Sequence, residues 1–143
     1  MTYYEWITYL DNLKYNSVSD ENINFINNSK ITYTGDIKVR FLNHIVDVIN
    51  YRLNEAVDNF LMKLNLVVQD QNNLILEISY IKKEMDIAKK LASIKYFEEE
   101  TRKSLIENIY KFGNDMNDQI KNSFVNVNNQ EISLIINNLD LNS

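Results

Sequence analysis

His44 is the only histidine in the chain, and it falls in a row with Arg40, Asp47, Tyr51, Glu55, Asp58 and Met62 at spacings that put them on one side of a helix. A histidine among carboxylates can move protons near neutral pH. Nothing in the row supplies a nucleophile or a second set of metal ligands, and one histidine cannot build the paired Glu-x-x-His sites of di-iron bundles. A solvated helix face carries the same mixture, so the sequence assigns no catalytic residue, no cofactor-binding residue and no metal ligand. An enzyme centred on His44 ranks last among the functional readings.

Two other groupings have chemical potential. Tyr3, Tyr4, Trp6, Tyr9 and Tyr15 crowd the first turns of the chain, as aromatics do in protein interfaces and in stacking platforms for single-stranded nucleic acid. Lys82, Lys83, Lys89, Lys90 and Lys95 form the densest basic cluster, diluted by Glu77, Glu84 and Asp86, which reads as a charged helix surface. Together they define an alternative function, a small nucleic-acid-binding accessory protein. Against it stands a net charge of −5, because neutralising phosphates provides most of non-specific affinity. The charge is uneven. Residues 1–35 hold 2 basic and 4 acidic side chains, 36–95 hold 9 and 8, and 96–143 hold 4 and 8.

The elements that must position these groups are helices. Between Asp36 and Phe124 there is no proline and a single glycine, Gly113, while apolar residues recur every three or four positions. The chain of 143 residues is the length of one domain. Its 45 % hydrophobic content exceeds what a disordered chain carries. No cysteine is present, which excludes disulfides and thiolate chemistry. Met1 to Trp6 show neither a basic region nor an apolar run of signal length, and no stretch of about 18 apolar residues occurs, so the expectation is a cytoplasmic protein without a membrane span.

Thr2 with Glu5 has capping-box spacing and opens a helix to about Tyr15, with Tyr3, Trp6, Ile7, Leu10 and Leu13 as its apolar stripe. Val18, Ser19 and Ile23 fit a hydrophobic staple around a serine cap, giving a second short helix to about Asn27. Ile31 to Thr34 reads as an extended connector. Three long helices are predicted over 36–68, 71–95 and 98–124. In the first, the eleven-residue step from Leu53 to Leu64 favours a nearly straight course, and this helix is expected to lie at the centre. The second keeps a seven-residue repeat, with Leu74, Ile81 and Ala88 interleaved with Ile78, Met85 and Ala92. Gly113 interrupts the third at a cost of about 1 kcal/mol relative to alanine. Asn128 with Glu131 predicts the cap of a short terminal helix. The expected fold is all-α: an elongated bundle of three long antiparallel helices over 36–125, with short helices in 1–35 and 126–143, forming one domain from 1 to 143.

The second long helix carries an oddity. Opposite its heptad seam run Leu76, Tyr80, Lys83, Ile87, Leu91 and Ile94, a second stripe that also needs cover. Either the N-terminal aromatic helix or the C-terminal helix packs there and completes the monomer, or part of the stripe stays open as a homo-oligomer or partner interface. The functional expectation is a non-enzymatic protein-interaction module, a regulator, inhibitor or assembly subunit, with these six residues binding the partner.

Overall fold

The computed structural model describes residues 1–29 and 35–143. About 75 % of the described residues are helical, in seven helices, and no strand occurs among them. The connector expected at Ile31 to Thr34 lies outside them.

Helix α1 (Tyr3–Asn12) starts as its sequence dictates: the Thr2 hydroxyl accepts a hydrogen bond from the Glu5 amide at 3.2 Å. Trp6, Leu10 and Leu13 are buried, and the Trp6 ring meets Phe41 edge-on at 5.9 Å, which fixes α1 against the first long helix. Helix α2 (Asp20–Asn27) has a full capping box in which asparagine does the work usually given to glutamate. The Asn22 amide donates to Ser19 Oγ at 3.4 Å and the Ser19 amide donates to Asn22 Oδ1 at 2.9 Å. Val18 and Ile23, the staple pair, are both buried.

Gly35, at φ 59°, occupies the left-handed region before α3 (Asp36–Met62). This first long helix is shorter than expected. At Lys63 the backbone turns to φ −96° and ψ 4°, its amide shared between the carbonyls of Asn59 and Phe60, and a single turn, α4 (Leu64–Val67), follows. The tightened step re-aims the chain so that Val67 is buried against the next helix while Leu66 turns outward. A straight continuation to residue 68 would not have closed over that helix so soon.

Helix α5 (Gln71–Ala92) is capped by Asp70, whose carboxylate accepts from the Asn72 amide at 2.9 Å. It packs against α2, α3 and α4, and against two later helices, α6 (Glu99–Ser123) and α7 (Gln130–Asn137). The central helix is therefore α5, not the expected 36–68 segment. Its two apolar stripes call for neighbours on both sides, and it packs on five helices where α3 packs on α1, α4 and α5.

Gly113 marks a close approach on α6. A Cβ there would meet the Asn142 side chain and come within 2.7 Å of Met85 Cε. That contact straps the C-terminal segment down: Asn142 Nδ2 donates to the Tyr110 carbonyl and to Asn114 Oδ1, both at 2.9 Å, and Leu139 and Leu141 are buried. The cap of α7 is Asn129, one residue later than expected. Its Oδ1 accepts from both Glu131 and Ile132 amides, leaving Asn128 exposed.

Candidate protein-interaction surface

The second stripe of α5 divides into two parts. Ile87 and Leu91 are buried, as is Ile94, which lies two residues beyond the end of α5 because the helix stops at Ala92 and not at the expected residue 95. Near them α2 and the residues that follow it contact the end of α5 and the turn after it. Lys90 Nζ lies 3.1 Å from Asp20 Oδ1, the Lys95 amide donates to Asn27 Oδ1 at 2.9 Å, and the hydroxyls of Ser29 and Tyr96 meet at 3.2 Å. Toward the start of α5 the cover runs out. Leu76 is 68 % exposed, Tyr80 is half-buried and Lys83 is exposed.

Another exposed apolar residue meets that open part. Leu66 from α4 and Leu76 line one hollow of about 210 Å³, whose polar wall is Lys63 and Glu77. Leu61, Met62 and Ile75 are exposed close by in sequence, Met62 at 85 %. One turn along α5, Tyr80 lines a second hollow of about 310 Å³ with Tyr15, Tyr51 and Glu55. Tyr15 and Tyr51 stand edge to face, ring centroids 5.4 Å apart at 74°.

The floor of the second hollow is an ion pair that the sequence reading missed. Arg52 and Glu84 are both buried. Arg52 Nε donates to Glu84 Oε2 at 2.7 Å and NH2 to Oε1 at 3.0 Å, a bidentate fork. Its NH1 donates to the carbonyls of Leu13 at 2.6 Å and Asn16 at 2.7 Å. Leu13 is the C-cap of α1, a helix whose last turn has no basic residue, so Arg52 brings positive charge to the negative end of its dipole. One side chain thus ties α3, α5 and the α1–α2 loop together. Further up the seam, Asn59 Nδ2 donates to Glu77 Oε1 at 2.7 Å. The signal was present in the spacing: Glu77 and Glu84 fall at heptad positions among Leu74, Ile81 and Ala88, and Arg52 falls among Ile45, Ile49, Ala56 and Phe60. A charge inside an apolar repeat has to find a partner there or be expelled.

This setting also holds protons on two phenols. Loss of water raises the Tyr80 pKa above the ordinary 10.0, Glu84 adding to the effect and Arg52 opposing it. Tyr51 is raised as well, by loss of water first and then by Glu55 and Tyr15.

The chain resembles no known protein that would assign a role to this surface: no family model matches it, and no curated protein or solved structure matches it.

The other sequence candidates separate. His44 is half-buried, its Nδ1 3.7 Å from Asp11 Oδ1, so α1 sits beside it rather than open solvent. No group of three or more potential metal-ligating side chains occurs among the described residues. The lysine cluster is distributed over separate partners: Lys89 over the Tyr110 ring at 4.8 Å, Lys90 on Asp20, and Lys95 over the Tyr96 ring at 5.4 Å. Of the N-terminal aromatics, Trp6 is buried and the Tyr9 hydroxyl accepts from Asn22 Nδ2 at 2.9 Å, whereas Tyr4 and Tyr15 are exposed. Among the described residues, no helix is long and apolar enough to cross a membrane.

Proposed function

We propose that this protein is a non-enzymatic interaction module, a regulator, inhibitor or assembly subunit, that presents the uncovered part of the α5 stripe to another protein or to a second copy of itself. The observation that carries the reading is the 68 % exposure of Leu76 in a stripe where Ile87 and Leu91 are buried. Burying Leu66 and Leu76, which line one hollow, in a partner gains roughly 25 cal/mol for each Å² of apolar surface removed from water. The reading takes the three long helices as an elongated antiparallel bundle working in the cytoplasm. Two pairs of contacts support the antiparallel course: Arg52 with Glu84 and Asn59 with Glu77 between α3 and α5, and Met85 with Gly113 and Lys89 with Tyr110 between α5 and α6. In each pair the residue number rises on one helix as it falls on the other.

Light scattering should detect a dimer or a larger species, or affinity capture from native extract a partner. Leu76→Asp and Tyr80→Glu should reduce that association while far-ultraviolet circular dichroism stays unchanged. Association that survives both substitutions would refute the reading. The alternative, nucleic-acid binding through the Lys82 to Lys95 surface and the N-terminal aromatics, has less support, since Lys89, Lys90 and Lys95 already face partners within the chain and Trp6 is buried. Fluorescence anisotropy with single-stranded and duplex oligonucleotides at low salt tests it.

A further inference from the structure

We draw no further inference here: the strongest candidate, the exposed face at the start of α5 where Leu66 and Leu76 line one hollow and Tyr80 another, carries nothing, because the acidic and basic side chains of each hollow balance and nothing in the structure shows what covers it.

Discussion

Ile87 and Leu91 on one part of α5 and Leu76 on the other belong to the same stripe and obey the same spacing, yet the first two are buried and the last is open. The N-terminal chain, whose two short helices lie between Thr2 and Asn28, reaches as far as Tyr80, where Tyr15 lines the same hollow, while Leu76, one turn earlier on α5, stays open. Periodicity states that a face wants cover. It does not state how far the cover extends, because that depends on where a different segment is anchored.

The anchor is the place to break the comparison most severely. Arg52→Ala should cost about 3–5 kcal/mol, because it strands the Glu84 carboxylate in the core and releases the Leu13 and Asn16 carbonyls; urea denaturation with an unchanged slope is the measurement. Replacing both partners, Arg52→Met with Glu84→Leu, should recover most of that loss, since a packed apolar pair replaces the buried ions at little net cost. The same truncation made on each part of the stripe gives the next contrast. Leu91→Ala should cost about 2–5 kcal/mol through lost burial and a cavity, whereas Leu76→Ala should stay within about 0.5 kcal/mol. Equal losses at the two sites would show that Leu76 is covered in solution.

Loosening the cover itself should be milder. Ser19→Ala removes the capping hydroxyl of α2 and should cost about 1 kcal/mol, with faster hydrogen exchange at residues 87–94 and no change at 71–76. The smallest effect is alkaline. Tyr51 and Tyr80 keep their protons in the folded chain at a pH where an unfolded phenol has begun to lose its own, so their contribution is complete below about pH 10 and is lost as pH rises through the raised values. Tyr80→Phe should flatten that decline, read as the denaturation midpoint against pH.

Much of the local structure was legible. Thr2, Ser19 and Asp70 have side chains that can do little at a helix start except accept an orphan amide, and each does so. The break at Lys63 was not legible, because lysine is a good helix former and nothing in Asn59 to Val67 is a breaker; the turn is imposed by packing on α5. The role of α5 as the central helix could be inferred only in part: two apolar faces imply neighbours on both sides but do not name them. Gly113 read as a cost, and in the structure the Asn142 side chain and Met85 Cε lie where a Cβ would stand. The ion pair under the tyrosine hollow was visible as misplaced charge at Glu77, Glu84 and Arg52, a pattern that is easily absorbed into a count of surface residues.

Arg52 grips the N-terminal segment by its main-chain oxygens at Leu13 and Asn16, not by any side chain. Mutational drift at positions 14–16 can therefore rewrite the rim that a visiting protein would inspect without shifting the crossing beneath it. A lineage could exchange Lys14 or Tyr15 to suit a new associate and keep its scaffold, since what the guanidinium reads is common to every amino acid.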